Sequence, residues 1–140
     1  MNGAKEYMLE PAVIAFLQDI GFYNVFREVP LGSRRIDLCA VDSRERIAAV
    51  ELKLRDLKGL LRQASTCRLA ADLVYVAIPA DQVRRLDVDL VREMGIGILS
   101  VGPGRATVVL EVSETHKPRS LRHREDLKRG IELSTGAANP

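Results

Sequence analysis

Two apolar runs, RRIDLCAV (34–41) and RIAAVELKL (46–54), flank a short polar segment, and each carries an acid in its interior. Such a pair predicts a β-hairpin, because two strand-like runs around a charged turn fold back on each other. Strand side chains alternate between faces. In the second run Ile47, Ala49, Glu51 and Lys53 share one face, and Ala48, Val50, Leu52 and Leu54 the other. In the first run Asp37 sits with Cys39 and Val41, while Ile36, Leu38 and Ala40 look the opposite way. Both faces of both strands are mostly apolar, so both must be covered. Asp37, Glu51 and Lys53 are then polar intrusions into a buried hairpin.

Register decides whether the two acids meet. Directly opposed residues of an antiparallel pair point to the same side. A five-residue connection sets Val41 against Ile47, Cys39 against Ala49 and Asp37 against Glu51, with Lys53 opposite Arg35. A four-residue connection sends the acids to opposite faces. Only the first register gathers the charged groups, and it is the one expected. It brings the carboxylates to about 5 Å. Two such anions, partly desolvated, repel, and one takes up a proton unless a cation intervenes. Two carboxylates, a backbone carbonyl and water make a suitable magnesium site, and a metal there can activate water. Lys53 is placed to orient that water or to stabilise charge in the transition state. The competing reading is a buried ion pair in which Lys53 neutralises Glu51 or Asp37 and nothing binds. Such pairs add little net stability.

The rest of the chain supplies layers for this hairpin. Residues 8–20 read as a helix, 22–29 as a strand and 55–71 as a helix. Residues 72–79 read as a strand, 80–94 as an amphipathic helix, and 96–101 and 106–112 as two further strands. The order αβββαβαββ predicts a mixed sheet with helices on both faces, an α/β sandwich. In the second helix Gln63 shares the stripe of Leu60, Ala64 and Cys67, so it is expected to face the sheet and to need polar partners there. Arg55, Lys58 and Arg62 near the start of this helix, with Arg34, Arg35 and Lys53, are candidates for a basic patch that attracts a phosphodiester backbone. Taken alone, such charges are usually a solvated face.

Composition narrows the classes. The 140 residues suffice for one domain, expected over 1–112. From residue 113 the composition turns charged, and 113–140 is expected to be a partly disordered tail in which SLRHREDLKRGIEL could form a short helix. The net charge is only +2, so an acidic partner needs a local patch. Cys39 and Cys67 read as buried thiols of a reducing compartment. The only histidines, His116 and His123, fall in the tail without metal-ligand spacing, which argues against zinc and against histidine-based triads. No apolar run reaches the roughly 18 residues of a membrane span, and the N-terminus lacks a signal-peptide layout. A cytoplasmic protein is expected. At 4% aromatic residues, base stacking is not expected to dominate recognition.

Asp37, followed by Glu51-Leu52-Lys53 and by Gln63 in the next helix, resembles the PD-(D/E)XK nuclease superfamily. The likeness to Holliday-junction resolvases and related small nucleases covers roughly residues 8–101. It implies a restriction-endonuclease-like three-layer sandwich that hydrolyses DNA by metal-activated water, as an endonuclease or an exonuclease. Asp37 and Glu51, with the Leu52 carbonyl, would ligate Mg²⁺ or Mn²⁺. Lys53 would be the catalytic lysine, and Gln63 matches an extra glutamine of several branches. Glu10 matches an accessory N-terminal acid, with Glu28 as its rival. The implied partner is DNA, branched or damaged, bound by a homodimer. The proline of the superfamily's name is Ile36 here. A non-catalytic nucleic-acid-binding module of the same fold and a protein-interaction domain are the alternatives.

Overall fold

The computed structural model describes residues 6–55, 57–113 and 120–134. Its elements are α1 (Glu10–Asp19), β1 (Asn24–Leu31), β2 (Arg34–Val41), β3 (Ile47–Leu52), α2 (Leu60–Cys67), β4 (Leu73–Pro79), α3 (Val88–Glu93), β5 (Gly97–Gly102), β6 (Arg105–Leu110) and α4 (Leu121–Glu132). The strands form a six-stranded sheet in chain order. β1–β2 and β2–β3 pair antiparallel, β3–β4 and β4–β5 pair parallel, and β6 returns antiparallel to β5. This is the expected α/β sandwich with a mixed sheet in the order αβββαβαββ. β3 is buried at every position, as befits a central strand covered on both faces.

Two apolar layers lie on the two sides. One joins α1, through Val13 and Leu17, to Leu38, Ala40, Ala48 and Val50. The other joins α2, α3 and α4, through Leu60, Cys67, Val91 and Leu127, to Cys39, Ala49 and Val76. The alternation expected for β3 holds, but that of β1 and β2 breaks midway. Val25 and Val29, four residues apart, would share a face in a regular strand, yet they pack in opposite layers. Ile36 and Leu38 likewise separate, so the expectation that Ile36 faces with Leu38 and Ala40 is corrected. The physical cause is Glu28, whose φ of 51° lies in the left-handed region and rotates the ribbon. The β1–β2 pairing steps from Arg27–Leu38 to Val29–Ile36 and skips Glu28 and Asp37, so the switch in facing occurs at the acid itself.

Two helices are shorter than their patterns predict. The 80–94 stretch divides into a tight 3₁₀ segment (Ala80–Arg85) and α3, because Asp87 starts a new helix by accepting the Leu90 N–H at 3.1 Å. The 55–71 stretch begins with a short 3₁₀ turn at Leu57–Gly59 before α2. The charged helix of the tail is α4, and it docks on β1. Leu127 is fully buried, and Gly130 lets the helix lie against the Pro30 carbonyl, where an added Cβ would come within 2.2 Å. Arg124 reaches Asp72 at 2.9 Å, and Asp72 accepts the Ile47 N–H at 2.7 Å, so α4 is tied to the start of β3. The tail beyond Ser134, expected to be disordered, lies outside the described residues.

Candidate functional site

β2 and β3 pair with Val41 opposite Ile47, Cys39 opposite Ala49 and Leu38 opposite Val50. This is the register of the five-residue connection. Asp42 fixes that connection by accepting the Arg44 and Arg46 N–H groups at 2.9 and 2.8 Å. The ladder ends at Leu38–Val50, and Asp37 and Glu51 are the next residue on each strand. The two carboxylates interact directly, and Asp37 Oδ2 also accepts the Leu52 N–H at 2.8 Å. Burial pushes the Asp37 carboxyl up to about 7; the Leu52 N–H works against this, and the charges of Glu51 and Glu28 add to it. Glu28 and Glu51 thus both act on Asp37, from the strands on either side of it.

Glu51 is 2% exposed. Its Oε2 accepts from the Cys67 thiol at 3.3 Å and from the Arg34 guanidinium. Arg34 also donates from Nη1 to the Gln63 carbonyl at 2.9 Å. Burial opposes the Arg34 charge, and Glu51 outweighs that, so its pKa lies above the ordinary value. Cys39 and Cys67 are buried and unpaired, and burial foremost raises both thiols, with Glu51 adding to it. They are protonated at physiological pH and supply no thiolate.

The structure places the remaining candidates as follows. Lys53 follows the last residue of β3, half-buried, with its N–H on the Ala77 carbonyl at 3.1 Å. The ion pair at Glu51 is made by Arg34, not by Lys53. Gln63 is exposed, which corrects the expectation that it faces the sheet. Leu60, Ala64 and Cys67 define the buried stripe, and at about 100° per residue Gln63 lies roughly 65° off its centre. Its backbone carbonyl, not its amide, enters the site. Glu10 is held by Arg27 of β1 at 2.6 Å, while Glu28 acts on Asp37. Arg35, Arg55, Lys58 and Arg62 are exposed, and Arg35 contacts the Glu28 carbonyl at 3.4 Å.

Arg34, expected in a basic patch toward phosphate, pairs with Glu51, a contact that sequence reasoning missed. Strict alternation puts it on the face away from Glu51, and only the rotation at Glu28 turns it inward. Nothing in a glutamate side chain announces a positive φ, so the sequence held no signal for it.

Among the described residues no group of three or more His, Cys, Asp and Glu side chains is gathered as a metal cluster. What the site offers is two carboxylates and the Leu52 carbonyl, a hard oxygen set suited to magnesium rather than zinc. The donors fit a divalent cation in kind, while Arg34 holds Glu51 Oε2.

No protein-family model matches the chain, and no curated protein matches it. Among solved structures, SPO1766, a protein of unknown function from Silicibacter pomeroyi, matches with a TM-score of 0.64. The identity is 16%, over 93% of this chain and 86% of that one. A repair endonuclease from Pyrococcus abyssi matches with a TM-score of 0.49 and 16% identity, over 74% of this chain and 50% of that one. The first likeness shows a shared fold. The second is too partial to carry an argument.

Proposed function

We propose that this chain is a metal-dependent nuclease of the PD-(D/E)XK type that hydrolyses DNA phosphodiesters. The observation that carries the proposal is the meeting of Asp37 and Glu51 across β2 and β3, with the Leu52 N–H fixed on Asp37. A structural role is a poor reason for it, since burial raises the pKa of Asp37 and so opposes its ionisation.

In this reading Asp37, Glu51 and the Leu52 carbonyl hold Mg²⁺ or Mn²⁺. The bound ion would supply an activated water and charge stabilisation at phosphorus. Lys53 emerges beside the acids and orients the attacking water or steadies developing negative charge. Glu28 is the better-placed accessory acid, and Glu10 helps at most through Arg27. Arg35, Arg55, Lys58 and Arg62 draw the sugar-phosphate backbone without reading bases. Exposed Gln63 lies beside them. A homodimer would present two sites to a branched or damaged duplex.

The test is cleavage of single-stranded, duplex and branched DNA and of RNA, with Mg²⁺ or Mn²⁺, and with Lys53→Ala as control. Metal-dependent cleavage lost in the variant supports the proposal. No cleavage of any substrate refutes it.

One observation favours a second reading. The Arg34–Glu51 pair fills the acid site from within, as a non-catalytic nucleic-acid-binding module of this fold would require. Salt-sensitive DNA binding without turnover would select that reading.

A further inference from the structure

Arg34 opens β2, where the sequence places a cation free to meet phosphate. Its guanidinium is instead drawn in, one nitrogen on Glu51 Oε2 and another on the Gln63 carbonyl at 2.9 Å. The two ends of the ion pair differ in exposure. The Glu51 side chain is 2% exposed and that of Arg34 24%. Glu51 is fixed inside the protein, whereas Arg34 has a path to solvent beside the turn at Gly32 and Ser33, both of which are exposed.

We infer that Arg34 is an exchangeable counter-ion: it holds Glu51 in the free protein and leaves it when a substrate phosphate and a divalent cation arrive together. The inference rests on the nuclease reading and adds an order of events to it. A buried carboxylate must keep a partner. Arg34 and a divalent cation compete for the same Glu51 carboxylate, and the positive guanidinium repels a cation brought to the acid pair. The cation therefore binds the free protein weakly. A phosphodiester changes the balance, because a planar guanidinium pairs with phosphate oxygens two at a time. Once Arg34 moves to phosphate, Glu51 loses its counter-ion at the moment a cation can replace it. Cation and DNA then strengthen each other's binding by the same factor, as linkage requires. Lys53 cannot take over on Glu51 without giving up its place beside the reacting phosphate. Arg34 is thus a positioning residue, acting on catalysis through Glu51.

The experiment measures Mn²⁺ affinity by electron paramagnetic resonance in the full chain and in Arg34→Met and Arg34→Lys. Each is titrated with and without a short duplex carrying non-hydrolysable phosphorothioate linkages. Arg34→Met keeps much of the stem and removes the charge. Arg34→Lys keeps a charge that cannot span Glu51 and Gln63 together, and it serves where the first variant folds poorly. Without DNA, Arg34→Met is expected to bind Mn²⁺ at least about fivefold tighter than the parent, the lower end of usual coupling factors, and Arg34→Lys to fall between the two. Parent affinity rises by a similar factor when the duplex is added, and that of Arg34→Met does not. Variants that bind no tighter than the parent, or parent affinity indifferent to DNA, would overturn the inference and leave the metal site standing. No Mn²⁺ bound by any of the proteins, with or without DNA, would overturn both.

Discussion

Replacing Asp37 with Asn is expected to stabilise the protein at alkaline pH while abolishing cleavage. The carboxyl is pushed from 3.8 to about 7, first by burial and further by Glu51 and Glu28. An acid whose folded pKa is raised binds more protons folded than unfolded between those two values. Stability therefore falls as pH rises from 3.8 to about 7, and is flat above that. At 1.36 kcal/mol per pH unit the loss above pH 7 is about 4 kcal/mol, of which about 3 kcal/mol falls between pH 5 and 8. Asn does not titrate, and its amide oxygen can still accept the Leu52 N–H. The assay is urea unfolding of parent and variant at pH 5 and pH 8, with chelator present to exclude divalent ions. The variant's advantage should grow between the two pH values by some 2–3 kcal/mol. A difference that does not change with pH, or a variant less stable at pH 8, would refute the claim that Asp37 is a desolvated carboxyl crowded by other acids. Stability gained by deleting an acid, with function lost, is the exchange expected at a working site.

Other consequences follow from single contacts. Lys53→Ala should lower cleavage roughly 10²–10³-fold with little change in melting temperature, since the ion pair at Glu51 belongs to Arg34; single-turnover rates and thermal unfolding together check this. Gly130→Ala should destabilise by about 1–3 kcal/mol, because the new Cβ would meet the Pro30 carbonyl at 2.2 Å and push α4 off β1; chemical denaturation measures it. Gly97→Ala should cost about as much, since its Cβ would come within 2.6 Å of the Tyr75 ring and 2.8 Å of Val112, and near-UV circular dichroism should report the disturbed tyrosine.

The hairpin and its register were legible because two constraints coincide. Apolar alternation fixes the faces of β3, and only one connection length brings the lone acids of the two runs together. The order of elements was legible from the same periodicity and from its punctuation by Gly21, Pro79 and Gly95. The site's counter-ion was not. Alternation assumes a regular strand, and Glu28, at φ 51°, breaks that regularity in β1 and, through the pairing, in β2. Every inference about facing beyond that point inverts, which moves Ile36 into the α2 layer and Arg34 onto Glu51. Gln63 was misread for a smaller reason: in a helix this short, a residue on the flank of the buried stripe clears the sheet edge and meets solvent. The docking of α4 was hidden because its face is mostly charged, and its seat combines few apolar contacts, Leu127 and Ile131, with a missing Cβ at Gly130 and the Arg124–Asp72 pair.

The central claim is that Asp37 and Glu51 belong to one cation site. Anomalous scattering from crystals grown with Mn²⁺ and a short DNA duplex tests it most directly. The account predicts a manganese peak within bonding distance of a carboxylate oxygen from each acid, with Arg34 turned away from Glu51 toward phosphate. DNA bound beside an acid pair that shows no peak, with Arg34 still on Glu51, would contradict it.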